Sequence, residues 1–153
     1  MRRLAAILAT GMLAFAAAGC GGDDNGGGER LSKDEYAAQA NAICDDFNAD
    51  VKAAGPEPQG IKDIPPYVDK VKPLFEDGLS RLKKLNPPED EQETVDEWLD
   101  TAEEQIGYLG DIKKAAEDND LAEVQEVGTK ISASNKKADA LAVKLGATSC
   151  TDQ

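Results

Sequence analysis

Apolar residues recur along this chain at spacings of three and four in four separate stretches, and none of the sequence reads convincingly as a strand. Residues three and four apart share one face of a helix, so the pattern predicts four amphipathic helices. The first is expected to start at Ser32, where Glu35 completes a Ser-x-x-Glu capping box, and to bury Tyr36, Ala40, Ile43, Phe47 and Val51. Gly55-Pro56 ends it. The following GPEPQGIKD has two prolines, two glycines and no apolar run, and is expected only to connect. A second helix opens with Pro65 and Pro66 in its first turn, where a missing amide hydrogen costs nothing. Its stripe is Val68, Val71, Phe75, Leu79, Leu82 and Leu85, with Pro73 inside the pattern as a bend or a later start.

Asn86-Pro87-Pro88-Glu89 reads as a cap followed by prolines, and Glu89, Asp90, Glu91 and Glu93 suit a helix N-terminus. The third helix then carries Val95, Trp98, Leu99, Ala102, Ile106, Leu109, Ile112 and Ala116 inward. Asn119-Asp120 ends it and caps the fourth, with Glu123 supplying an Asp-x-x-Glu variant of the box. The fourth stripe runs Val124, Val127, Ile131, Ala138, Leu141 and Leu145 to a stop at Gly146. The expected fold is all-α, an antiparallel up-down-up-down four-helix bundle over residues 32–153.

Ahead of the bundle the pattern changes. Met1-Arg2-Arg3 is positive, and Leu4 to Ala18 are apolar or small apart from Thr10 and Gly11. These are the zones of a secretory signal, too short for a membrane span of about 20 residues. Residues 21–30, GGDDNGGGER, hold five glycines and no apolar side chain, the composition of a flexible tether. Between the two, Ala17-Ala18-Gly19-Cys20 resembles the lipobox of bacterial lipoproteins, with Ala17 where a larger aliphatic residue is usual. The other reading is an ordinary signal peptide with a chance cysteine. The resemblance implies a signal peptide over 1–19, a diacylglyceryl group on Cys20, and a lipidated tether over 20–31. It also implies location at the extracytoplasmic face of the cell membrane, held stably by more than one acyl chain.

With Cys20 spent on lipid, Cys44 and Cys150 remain, and an oxidising compartment lets them pair. Two unpaired thiols are the alternative. At ~1.5 Å of rise per helical residue, Cys44 lies about 18 Å above Ser32 and Gly146 about 11 Å above it. The tail reaches Cys44 if it turns back upward. The same arithmetic puts Phe47, Phe75, Trp98 and Leu141 within about a turn of Cys44, as an aromatic layer around the bridge. Helices meeting at bulky side chains normally fill their own centre, so a packed layer is expected over a ligand pocket. The hairpin of the third and fourth helices should overhang the others by ~15 Å. Gly107, Gly110 and Gly128 fall near its base, where close backbone approach is expected over a shallow groove.

Charge and residue types narrow the chemistry. The net charge is −13, and the leader removes Arg2 and Arg3, so the exported chain is more acidic still. Such a surface repels nucleic acid and anionic headgroups, so nucleic-acid binding is not expected and membrane association falls to the lipid. The chain has no histidine, which removes histidine-based catalysis and histidine zinc sites. No phosphate-binding or dinucleotide glycine pattern and no EF-hand spacing is present. Paired acids such as Asp45-Asp46 and Glu103-Glu104 diverge by about 100° on a helix and read as a solvated face. No catalytic residue, metal site or cofactor is expected.

The mature part, with SKDEYAAQANAICDDFN near its start, Pro-Pro before the third helix and a closing cysteine, resembles small uncharacterised lipoproteins of high-GC Gram-positive bacteria. That resemblance supports a helical domain at the cell surface and implies no activity. The functional expectation is a non-catalytic binding or protein-interaction module, with the third-to-fourth helix hairpin as contact surface and an unknown protein or small ligand as partner. The rival expectations are a structural or envelope-stress lipoprotein and a small-molecule carrier with a pocket between helices.

Overall fold

The computed structural model describes residues 29–151. The expected signal peptide, with Ala17, Ala18, Gly19 and Cys20, and most of the expected tether lie outside them. Four helices, α1 (Lys33–Ala54), α2 (Ile64–Leu82), α3 (Gln92–Glu117) and α4 (Leu121–Leu145), make up the fold, with short 3-10 turns at Ile61–Asp63, Glu89–Glu91 and Thr148–Cys150. Among the described residues there is no strand, and no helix is long and apolar enough to cross a membrane.

Local chemistry explains most of the boundaries. Ser32 caps α1 with its hydroxyl while the Glu35 carboxylate accepts from the Ser32 amide at 2.9 Å. The Ser32 hydroxyl also donates to that carboxylate at 2.6 Å, and this bond first, then the amide's, holds the Glu35 carboxyl below its ordinary value. Gly55, at φ 118°, ends α1 in a conformation that side chains rarely adopt. Pro65 and Pro66 stand in the first turn of α2, which runs unbroken past the exposed Pro73. Gly146 ends α4 at φ 75°, and a Cβ there would stand 3.2 Å from the Ala37 Cβ.

Neighbouring helices contact each other in reversed order, which makes them antiparallel. Lys70 Nζ donates to the Ala54 carbonyl and Arg81 pairs with Asp46, joining α2 to α1. Lys83 pairs with Glu103 and Lys113 with Asp69, joining α2 to α3. Glu97 pairs with Lys137 and Gln105 bonds Asn135, joining α3 to α4. Asn41 on α1 meets Gly146 at the end of α4. The core they enclose is built from Tyr36, Ala40 and Ile43, Leu82, Val95 and Trp98, and the last turns of α4 through Leu145.

Several expectations need correcting. The ordered domain begins before Ser32: Leu31 packs against the core and donates its amide to Asn86 O, and Arg30 bonds Pro87 O and Gln92. The structure places no helix start directly after Asn86: α3 starts at Gln92 behind a 3-10 turn that holds Glu89, Asp90 and Glu91. The 55–63 connection is more than a link, because its Ile61–Asp63 turn packs on α3. Close backbone approach at the hairpin glycines is also wrong. A Cβ on Gly107 or Gly128 would meet nothing within 4 Å, and one on Gly110 only the end of Lys72.

Candidate functional site

The four helices do not fill their centre at the level of the Cys44–Cys150 disulfide. There they leave a cavity of about 160 Å³, partly open to solvent. The cause is the distribution of side-chain size. Phe47 on α1 and Phe75 on α2 meet edge to face, with ring centroids 4.7 Å apart at 75°, and Trp98 on α3 stands in the same wall. Facing positions carry small residues: Gly78 on α2, Ala102 on α3 and Ala138 on α4. A Cβ on Gly78 would sit 3.7 Å from the Phe47 ring, an ordinary contact, so the glycine leaves room there rather than relieving a clash. Bulky rings set opposite small neighbours leave a void where a uniform layer would have packed.

The C-terminal segment makes one edge of the cavity through Cys150 and Thr151. After the left-handed turn at Gly146 the chain doubles back along α1, as the reach to Cys44 requires. Asn41 donates to Gly146 O at 3.0 Å and accepts from the Ser149 amide at 2.7 Å, and Asn48 donates to Ser149 O at 2.9 Å. Asn41, Cys44 and Asn48 follow at spacings of three and four, so one face of α1 carries both the bridge and the amides that seat the tail. The bridged Cα atoms are 5.1 Å apart.

Polar groups lie at the other edge. Gln105 on α3 donates to Asn135 on α4 at 2.8 Å, and Asp139, one turn further along α4, brings a carboxylate to the lining. No lysine or arginine stands among the described lining residues. The site is thus an apolar, aromatic chamber with an amide pair and one acid. Among the described residues no three His, Cys, Asp or Glu side chains converge on a point that would hold a metal.

Phe47, Phe75 and Trp98 are therefore brought together beside the disulfide, as expected, but they wall a cavity instead of filling a core layer. Leu141 is buried in the core and does not line it. Gly78, Gln105, Asn135 and Asp139 were not anticipated. The signal for them was available, since a glycine beside Leu79 and amides beside the stripe of α3 and α4 all interrupt inward-facing positions. Compared as a whole, the chain matches no protein-family model, no curated protein and no solved structure.

Proposed function

We propose that this protein is a lipid-anchored, extracytoplasmic binding protein that holds a small molecule between its helices without transforming it. The observation that carries the reading is the cavity beside Trp98, whose size and apolar walls suit a small ligand. An apolar cavity near 150 Å³ in another protein accommodates a benzene-sized guest, so about 160 Å³ is enough for one ring or a branched alkyl group. The lipobox-like Ala17-Ala18-Gly19-Cys20 supports attachment through diacylated Cys20, and the acidic surface supports a domain that stands off from anionic headgroups. The absence of histidine and the engagement of Cys44 and Cys150 with each other leave no conventional nucleophile relay, which supports binding over catalysis.

The test is native mass spectrometry of the full chain extracted from the membrane, beside an Ala102→Leu variant that fills the cavity. A stoichiometric small-molecule adduct in the parent, lost in the variant, is the expected result. A bare parent chain that also gains nothing from added small aromatic compounds would overturn the carrier reading. Anchoring is checked separately: Cys20→Ser is expected to move the protein out of the membrane fraction.

A further inference from the structure

The polar edge of the chamber is satisfied within the protein, and this bears on what can fill it. We infer that the ligand is an uncharged hydrocarbon body, a single ring or a compact branched alkyl group, and that Gly78 sets the largest one admitted. The inference rests on the carrier reading above and adds the chemical class of the cargo and the residue that limits its size.

The class follows from the state of the polar atoms around the void. The amide, carboxyl and hydroxyl side chains of the described lining already have partners. Asn48 donates to Ser149 O, Gln105 to Asn135 and the Thr151 hydroxyl to Thr148 O, and Asp139 is engaged as well. Among the described residues, the buried side-chain polar atoms without a hydrogen-bond partner are the Tyr36 hydroxyl and Ser134 Oγ, and neither residue lines the chamber. Cys44 and Cys150 are joined to each other and present no ionisable thiol. A charged guest would leave water for groups that are already occupied, and its desolvation would go uncompensated. A hydrocarbon leaves water at a gain, against the rings of Phe47, Phe75 and Trp98. Size follows from Gly78. At about 160 Å³ the chamber takes one ring with a small alkyl group and excludes a long chain. A methyl group at Gly78 would meet only the Phe47 ring within 4 Å, at 3.7 Å, so the bundle accepts it without strain while the void loses the space of one carbon. Gly78 therefore limits the guest and not the packing of the helices.

The test uses the full chain in discs of zwitterionic phospholipid, with free ligand concentrations set by closed dialysis. Trp98 is the chain's only tryptophan and lines the chamber, so its emission reports occupancy directly. Toluene is expected to bind about tenfold or more tighter than benzylammonium or benzoate, which carry the same ring. Ala102→Leu, which fills the chamber, should abolish toluene binding and leave only the salt-sensitive attraction of benzylammonium to the acidic surface. In Gly78→Ala, isopropylbenzene should lose about tenfold or more in affinity while benzene keeps its own, which also shows that the variant is folded. Phenylbutanoate separates two sources of such a body. Binding as tight as toluene's identifies the hydrocarbon end of an amphiphile with its head at the opening, and binding as weak as benzoate's identifies a free hydrocarbon. Benzylammonium or benzoate binding as tightly as toluene, in a manner that Ala102→Leu removes, would overturn the uncharged class and leave the carrier reading intact. If benzene and isopropylbenzene are affected alike in Gly78→Ala, that residue sets no size limit. If none of these compounds binds, the carrier reading itself fails.

Discussion

Tyr36 is the residue at which this structure departs most from ordinary satisfaction of polar groups. Its side chain is 1% exposed, at the head of the core, and its hydroxyl has no hydrogen-bond partner. Burial, helped by the nearby Asp96 carboxylate, pushes the phenol up to about 12 from its ordinary value of 10.0. A raised pKa in the folded state means that the folded chain holds its proton where the unfolded chain has released it. The stabilisation is fully present below about pH 10 and is lost as pH rises toward about 12, on the order of 2 to 3 kcal/mol in all. Tyr36→Phe should therefore raise stability at neutral pH by about 1 to 3 kcal/mol, because it removes a buried hydroxyl whose desolvation no bond offsets, and should remove this part of the alkaline loss. Urea midpoints of both proteins across that window decide it. Every other group is common to the two proteins, so parallel pH curves would show that Tyr36 is not the group responsible.

At the scale of elements, the caps separate what a sequence states from what packing decides. Ser32 and Glu35 form the reciprocal box that their spacing announces. Asp120 and Glu123 form half of one. Asp120 Oδ1 accepts from the Ala122 and Glu123 amides at 3.1 Å each, but the Asp120 amide already donates to Ala115 O in closing α3, so Glu123 has nothing to reach back to. That second bond depends on how tightly the hairpin turns, with Asn119 at φ 56°, and no local motif encodes it. The cap itself is testable. Asp120→Ala should cost about 1 kcal/mol of stability by thermal unfolding, and Asp120→Asn, which keeps the acceptor, should recover most of it. If Asn is as damaging as Ala, the contribution comes from charge at the helix terminus instead. Packing decides at Asn86 too: its carbonyl accepts the amide of Leu31, a partner more than fifty residues away in sequence that no local motif announces.

For the whole molecule, the number of helices, their inward stripes and the bridge between Cys44 and Cys150 were legible because each follows from spacing and from chain reach. The void was not. Whether a layer of rings closes depends on what faces each ring across the bundle, and reading each stripe separately cannot show that Phe47 faces Gly78. The disulfide ties these levels together. It joins the middle of α1 to the tail across 106 residues, and the tail forms an edge of the cavity, so one bond affects both global stability and the shape of the site. Removing it with Cys44→Ala and Cys150→Ala should cost ~2 to 5 kcal/mol, a large share of the ~5 to 15 kcal/mol that holds a domain of this kind. The loss should appear as a lower urea midpoint and a steeper dependence on denaturant, because an uncrosslinked unfolded chain exposes more surface. Trp98 emission followed through the transition measures both. An unchanged midpoint would mean that the amides of Asn41 and Asn48 seat the tail without the bridge. In that case Asn41→Ala in the cysteine-free chain should be the change that releases it.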